Sequence, residues 1–239
     1  MPVQRVGDID MYYEVHGTGD PVVLIGGLGG DLSESERMIQ WCARTHRVLA
    51  FDNRGAGRTD KPGAPYSIEM MAGDTNGLME ALGISDATVL GVSMGGRIAL
   101  ALTLAHPERV ARLILVSTSA AEVPDTGLTR MDLLSVLRSL FFRRKYPQPR
   151  YAQSRQRQAS RAFDCTDRLH EIQVPATIMH GRNDKIFPLR RAEELRRGIA
   201  NSELVTFRGG HGFFMFKERK WFLDSVSTAL DTGASVLTS

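Results

Sequence analysis

The sequence has little cysteine and no long apolar run. Two cysteines, Cys42 and Cys165, in 239 residues are too few for a disulfide framework, and neither has the spacing of a metal-ligand set. We therefore expect two free thiols, with a single long-range disulfide as the alternative, and no metal. The N-terminal stretch MPVQRVGDIDMYYEV lacks the apolar region of a signal peptide, and no uncharged apolar stretch approaches the roughly 18 residues that span a bilayer. These absences predict a soluble, cytoplasmic protein without an integral membrane segment.

Patterns for binding nucleotides and nucleic acids are also absent. Gly27 and Gly29 begin a dinucleotide-binding fingerprint, but Leu32 stands where its third glycine is required. No Gly-Lys-Ser/Thr triplet is present for a phosphate-binding loop. The net charge is only +3, and no nucleic-acid-reading motif accompanies it. We therefore expect no cofactor and no nucleic-acid partner.

Short apolar runs alternate with helical patterns along most of the chain. Runs of apolar or β-branched residues bounded by turn signals are typical of strands buried on both faces. They occupy residues 21–25, 47–51, 87–92, 113–116, 176–179 and 203–207. Helices are expected at residues 67–83, 94–106, 188–197 and 213–230. This alternation predicts the α/β class, with a mostly parallel sheet covered by helices on both faces. Residues 3–6 and 11–15 instead flank a Gly-Asp turn, which predicts an N-terminal antiparallel hairpin.

Residues 121–165 interrupt the alternation, because they contain no strand-like run and are rich in Arg and Gln. We interpret them as a small helical cap inserted into a core formed by residues 1–120 and 166–239. The cap contains an apolar helical stripe. Its members that we predict to line a substrate pocket are Leu133, Leu137 and Phe141. A dimer interface is the alternative use of this stripe, so the oligomeric state, monomer or dimer, stays open.

The cap is also strongly basic. Residues 130–161 contain nine Lys or Arg and one acidic residue, Asp132. Such a surface attracts anionic substrates or membrane headgroups, and a merely solvated charged face is the alternative.

The segment Gly91-Val-Ser-Met-Gly95 lies between a predicted strand and a predicted helix. A G-x-S-x-G turn in that context is tight, raises the serine hydroxyl above the sheet edge, and needs small flanking residues. It also directs the N–H of Met94, at the start of the helix dipole, toward a substrate carbonyl. We therefore predict that Ser93 is a nucleophile and that Met94 supplies one donor of an oxyanion hole.

A nucleophilic serine needs a general base and a group that orients this base. His180 and His211 both follow predicted strands. His211 lies in a glycine loop that can carry an imidazole over the sheet edge, so we prefer it as the base. Asp184 lies just past the preceding strand, which predicts it as the orienting acid. A turn or helix-capping role is the alternative for Asp184.

These motifs together resemble the α/β-hydrolase superfamily over almost the whole chain. The matching segments are VVLIGGLGGD (residues 22–31), FDNRGAGRTD (51–60), GVSMGG (91–96), HGRNDKIFP (180–188) and GGHGFF (209–214). The order serine, acid, histidine along the chain is also the order of this fold. The resemblance implies an α/β-hydrolase fold and a Ser-His-Asp catalytic triad.

The resemblance also assigns residues that the motifs alone do not. It implies that Leu28 supplies the second oxyanion N–H, and that Asp52 and Arg54 tie a loop beneath the site. The chain departs from the family at Gly26, where a histidine usually stands.

Residues and resemblance together predict a cofactor-free serine hydrolase that cleaves a small-molecule carboxylic ester through an acyl-enzyme. Enol-lactonases and carbon–carbon bond hydrolases share a similar elbow, so lactones and carbon–carbon substrates are alternatives. Some members of the fold act mainly by binding a partner protein. A small-molecule receptor or regulator with vestigial hydrolysis is therefore a further alternative.

Overall fold

The computed structural model describes residues 2–122, 145–215 and 219–231. They form one eight-stranded sheet with helices on both faces. The strands are Val3–Val6 (β1), Ile9–His16 (β2), Pro21–Ile25 (β3), Arg47–Phe51 (β4), Ala87–Val92 (β5), Val110–Val116 (β6), Ala176–Gly181 (β7) and Ser202–Phe207 (β8). The α-helices are Glu36–Cys42 (α1), Ile68–Ala81 (α2), Met94–Ala105 (α3), Arg150–Ala162 (α4), Leu189–Gly198 (α5) and Arg219–Asp231 (α6).

The order of the strands in the sheet is β1-β2-β4-β3-β5-β6-β7-β8. β1 pairs with β2, and β2 with β4, in antiparallel fashion, whereas all other neighbours are parallel. The predicted α/β fold, with a mostly parallel sheet and an antiparallel N-terminal hairpin, is therefore confirmed. The apolar runs located the parallel strands well because helices bury both faces of these strands. β6 begins at Val110 rather than at residue 113.

Two apolar clusters fill the space between the sheet and its helices. One includes Ile98 of α3 and joins α2, α3 and α5 to the sheet. The other includes Phe222 of α6 and joins α1 and α6 to the opposite face. Consecutive strand residues such as Val23 and Leu24 belong to different clusters, because side chains alternate between the two faces of a strand.

The helices differ from the sequence expectation in three places. Helix α1 has no counterpart there, because its seven residues are too few for periodicity to distinguish a helix from a loop. Helix α5 begins at Leu189, with Pro188 as its N-cap rather than within its first turn. The helix expected over residues 213–230 is instead a 3-10 turn at Phe213–Met215 followed by α6, with residues 216–218 outside the described part.

Arg54 holds the loop after β4 against two other segments. Its guanidinium donates to both carboxylate oxygens of Asp74 on α2, each at 2.7 Å. It also donates to Asp8 in the β1–β2 turn, at 2.6 and 3.1 Å. The side chains of Arg54 and Asp74 are 4% and 8% exposed, whereas that of Asp8 is 66% exposed. The ion pair of Arg54 with Asp74 is therefore shielded from water, whereas the pair with Asp8 is not.

In the part of the chain that the structure describes, no helix is long and apolar enough to cross a membrane. Cys42 on α1 and Cys165 are both buried and unpaired, as expected of free thiols. Burial raises the pKa of each thiol to about 12, so both stay protonated at neutral pH.

Replacing Arg54 with Met should lower the free energy of unfolding at pH 7 by roughly 3–5 kcal/mol, because Asp74 is left charged and buried without its partner. Burial already raises the pKa of Asp74, and Arg54 opposes that rise. In the variant the folded-state pKa rises further, so the deficit should shrink as the pH falls and Asp74 takes up a proton. Urea denaturation at pH 7 and pH 5 measures both effects.

The matched control is Asp8→Asn, which removes the exposed partner of the same guanidinium and should cost less than about 1 kcal/mol. If Arg54→Met and Asp8→Asn lowered the free energy of unfolding equally, the Arg54–Asp74 pair would not be the main stabilising contact of Arg54.

Candidate active site

Ser93 lies between the last residue of β5 and the first residue of α3. Its backbone has φ 56° and ψ −117°, which L-residues with a side chain rarely adopt. A Cβ on Gly91 would collide with the carbonyl of Gly95, and a Cβ on Gly95 would collide with the carbonyl of Ile25. The two glycines therefore let β3, β5 and α3 approach closely enough to hold the strained turn.

Strand β6 and the residues after it fix the backbone of Ser93. The Ser93 N–H donates to the carbonyl of Val116 at 2.9 Å. The hydroxyl of Thr118 donates to the carbonyl of Ser93 at 2.7 Å. Both polar groups of the Ser93 backbone are thus held by the neighbouring strand end, which sets where its hydroxyl points.

His211 lies beside Ser93, in the loop that follows β8. Its Nε2 is 3.0 Å from Ser93 Oγ, and its Nδ1 is 2.8 Å from Asp184 Oδ2. Because a carboxylate only accepts, the Nδ1 atom carries the proton and Nε2 is free to accept from the serine hydroxyl. The Ser117 hydroxyl donates to the His211 carbonyl at 3.0 Å. The rings of Phe187 and His211 pack edge to face, with their centroids 5.4 Å apart.

Asp184 lies in the loop after β7, with its side chain fully buried. Its Oδ1 accepts from the N–H groups of Ile186 and Phe187 at 2.8 and 3.0 Å, and its Oδ2 faces His211. Two backbone N–H groups and one ring N–H thus point at this buried carboxylate and fix its orientation. The predicted nucleophile, base and acid are thus brought together in one hydrogen-bonded row.

His180 is a second imidazole near Asp184. Its Nε2 is 2.7 Å from the carbonyl of Phe187, to which it donates, and 3.5 Å from Asp184 Oδ2. It is completely buried, and burial lowers its pKa. His180 therefore holds the loop that carries Asp184, and His211 is the imidazole that faces Ser93.

The loop after β3 passes directly beside Ser93. A Cβ on Gly27 would lie 3.4 Å from the Ser93 Cβ and 4.0 Å from its Oγ. Leu28, the next residue, is half-buried against the apolar cluster of α3. Met94 begins α3, and its N–H makes no hydrogen bond to another residue of the described ranges. Both predicted oxyanion donors therefore belong to backbone that flanks the serine hydroxyl.

Arg97 on α3 is a site residue that the sequence analysis missed. It is completely buried, donates to the carbonyl of Ala121 at 2.8 Å and to Ser160 Oγ at 3.0 Å, and lies 4.9 Å from the centroid of the Phe187 ring. Burial lowers its pKa, and the carboxylate of Glu122 opposes this. The sequence feature that could have identified Arg97 is that it carries the only charge of its helix, MGGRIALALTLA.

The predicted pocket residues Leu133, Leu137 and Phe141 lie outside the described residues. Within residues 2–122, 145–215 and 219–231, no group of three or more His, Cys, Asp or Glu side chains could hold a metal ion.

Comparison with known proteins gives the family. Residues 20–163, more than half of the chain, match the α/β hydrolase fold family. The chain is 30% identical to the putative carbamate hydrolase RutD of Azorhizobium caulinodans, over 89% of this chain and 92% of that protein.

Two solved structures are similar over nearly their whole length. The enol-lactonase from Burkholderia xenovorans LB400 has a TM-score of 0.83 at 26% identity, covering 96% of this chain and 99% of that one. An esterase from Exiguobacterium antarcticum has a TM-score of 0.79 at 28% identity, covering 95% and 97%. Both share the sheet and helices that carry the row of Ser93, His211 and Asp184. By sequence and by fold, this chain belongs to the α/β-hydrolase family.

Proposed function

We propose that this protein is a serine hydrolase that cleaves carboxylic esters of small molecules. The observation that carries the proposal is the continuous hydrogen-bonded row from Ser93 Oγ through His211 to the buried carboxylate of Asp184, at 3.0 and 2.8 Å. A serine hydroxyl is a weak nucleophile until a base within hydrogen-bond reach accepts its proton. The strained turn at Ser93 supports the same role, because it holds the hydroxyl at the carboxyl edge of the sheet.

In the first half of the reaction, Ser93 Oγ attacks the ester carbonyl while His211 Nε2 takes the hydroxyl proton. The tetrahedral intermediate collapses when the bond to the alcohol oxygen breaks and His211 returns the proton to that oxygen. Water then attacks the acyl-enzyme, with His211 again acting as base and then as acid. Asp184 stabilises the imidazolium form of His211 throughout and keeps the proton of the resting state on Nδ1.

The negative charge of the tetrahedral intermediate needs preorganised donors. We assign this role to the backbone N–H groups of Leu28 and Met94, the second at the positive end of the α3 dipole. Losing one such donor costs roughly 10²- to 10³-fold in kcat in comparable sites.

We infer the substrate class from the proposed chemistry and from the names of the proteins to which this chain is similar. The names of the three similar proteins describe action on a carbamate, an enol-lactone and an ester, each of which presents a carbonyl bonded to oxygen. We place an acyclic ester first, and a lactone second on account of the enol-lactonase. Attack of Ser93 on the carbonyl is the same in both cases.

Replacing Ser93 with Ala should reduce hydrolysis of p-nitrophenyl esters, tested from acetate to decanoate, by roughly 10⁴-fold or more, because the nucleophile is lost. Ser85→Ala, at an exposed serine just before the start of β5 and so at the opposite end of this strand from Ser93, should keep the wild-type rate. A fluorophosphonate should label the wild type and the control but not Ser93→Ala. Equal ester hydrolysis by all three proteins would rule out Ser93 as the nucleophile.

Asp184→Asn should lower kcat by roughly 10⁴-fold while leaving the fold intact. The N–H groups of Ile186 and Phe187 require an acceptor, so the amide oxygen takes the place of Oδ1 and the NH₂ group faces His211. The imidazole must then carry its proton on Nε2 and cannot accept one from Ser93. Asp86→Asn, at an exposed aspartate, is the matched control. Steady-state kinetics at several pH values would detect retained activity in Asp184→Asn, which would count against this role.

We also propose that residues 121–165 form a cap over the site. Within the described part of this segment, Ala121 forms an antiparallel bridge to Asp164, which brings the two ends of the insertion together. Helix α4 is anchored on the core, because Ser160 accepts from Arg97 and Tyr151 donates to the carbonyl of Lys61 at 2.8 Å.

If Leu133, Leu137 and Phe141 line the acyl pocket of this cap, their joint replacement by Ala should move the preferred p-nitrophenyl ester to longer acyl chains, because the pocket is enlarged. The measurement is kcat/KM across the ester series, beside the wild type. An unchanged chain-length profile would remove these side chains from the pocket.

A further inference from the structure

Gln156 on α4 is an uncharged polar side chain buried completely beside the loop that follows β3. Its Oε1 accepts from the backbone N–H of Gly29 at 2.8 Å, and its Nε2 donates to the carbonyl of Arg54 at 2.7 Å. A backbone N–H only donates and a carbonyl only accepts, so these partners fix which end of the amide is which. Gln148 supports this orientation by donating to Gln156 Oε1 at 2.9 Å.

Gly29 belongs to a tight turn that contains Leu28. The Gly30 N–H donates to the carbonyl of Gly27 at 3.2 Å, and Gly29 has φ 66°. A turn in which only the third residue has positive φ has the type II pattern, with Leu28 as its second residue. The peptide between Leu28 and Gly29 is the one that can flip in such a turn, and the Gly29 N–H belongs to this peptide.

A second side-chain amide holds the other end of the same loop. Asn53 Nδ2 donates to the carbonyl of Gly26 at 2.9 Å. The Leu28 N–H belongs to the Gly27–Leu28 peptide. The peptide before it, Gly26–Gly27, is held by Asn53, and the peptide after it, Leu28–Gly29, is held by Gln156. These two hydrogen bonds restrain the peptides on either side of the one that carries the Leu28 N–H.

We propose that Gln156 is a positioning residue for the oxyanion hole, acting through Gly29 to fix the direction of the Leu28 N–H. This rests on the proposed function, because it assumes that Leu28 donates to the developing oxyanion. The contact spans 127 positions in sequence. It makes α4 part of the support of the site, and Asn53 completes that support from the core.

The competing interpretation is that Gln156 only fastens α4 to the core. Other α4 side chains do that without touching the Gly26–Gly29 loop: Tyr151 donates to the Lys61 carbonyl, and Arg155 to the Pro62 carbonyl, each at 2.8 Å. Tyr151→Phe is therefore a matched control, since it removes one anchor of the same helix and leaves the loop alone.

The test compares the wild type with Gln156→Met, Gln156→Glu, Asn53→Leu and Tyr151→Phe. The probes are hydrolysis of a p-nitrophenyl ester, inhibition by a trifluoromethyl ketone that forms an oxyanion on Ser93, and thermal unfolding. Gln156→Met should lower kcat and kcat/KM by the same factor, roughly 10- to 100-fold, because only the transition state is affected. Affinity for the ketone should fall by that same factor. Gln156→Glu keeps an oxygen for the Gly29 N–H, but only its protonated form can donate to the Arg54 carbonyl, so its kcat relative to the wild type at the same pH should rise as the pH falls.

Asn53→Leu should reproduce the loss of kcat from the opposite end of the loop, which keeps the proposal testable if Gln156→Met does not fold. Tyr151→Phe should keep wild-type kcat and ketone affinity. The proposal is overturned if folded Gln156→Met or Asn53→Leu retains the wild-type kcat. It is also overturned if Tyr151→Phe lowers kcat by as large a factor as those two variants do. A wild type that neither hydrolyses esters nor reacts with a fluorophosphonate would overturn the proposed function, and with it this role.

Discussion

The strained backbone at Ser93 is a constraint that the rest of the site depends on. A non-glycine residue with positive φ costs of the order of 1–3 kcal/mol and persists only where its surroundings hold it in place. Here β3, β5 and α3 meet at distances that only glycine at positions 91 and 95 permits. Val116 at the end of β6 accepts from the Ser93 N–H, and Thr118 just after it donates to the Ser93 carbonyl. Any relaxation of this packing would move the hydroxyl away from His211.

The parallel sheet explains why distant residues meet at this point. The carboxyl ends of neighbouring parallel strands lie at one edge, so the loops after β5, β7 and β8 deliver Ser93, Asp184 and His211 to the same place. The turn after β6 lies between them and contributes Ser117, whose hydroxyl holds the His211 carbonyl. Ser93 and Ser117 are the non-glycine residues of positive φ in the described ranges, and each directly follows one of two adjacent strands, β5 and β6. Backbone strain is thus concentrated where the hydrogen-bonded row is assembled.

Helix α4 is attached to the core by a different kind of interaction. Its buried apolar residues are the small Ala152 and Ala159, so little apolar area fixes it in place. Buried hydrogen bonds from Gln156 to the loop after β3, and from Arg97 to Ser160, supply the attachment instead. Hydrogen bonds are directional, so they orient the helix as well as hold it. The same contacts link α4 to the backbone beside Ser93 and, through Phe187, to the neighbourhood of His211.

Periodicity, turn residues and motif order in the sequence determined the sheet, its antiparallel start, and the choice of Ser93, Asp184 and His211. Each of these rests on a local signal: a strand buried on both faces reads as an apolar run, and the elbow needs glycines beside its serine. The tertiary structure alone decided which side chains support the site. Gln156 stands among other glutamines and arginines of a polar helix, with nothing local to distinguish it, and its partner Gly29 is 127 positions away. The buried contacts of Arg97 were missed for the same physical reason, whereas α1 was missed because its seven residues are too few to show helical periodicity. A hydrogen bond between distant segments depends on how the elements pack, which no window of sequence contains.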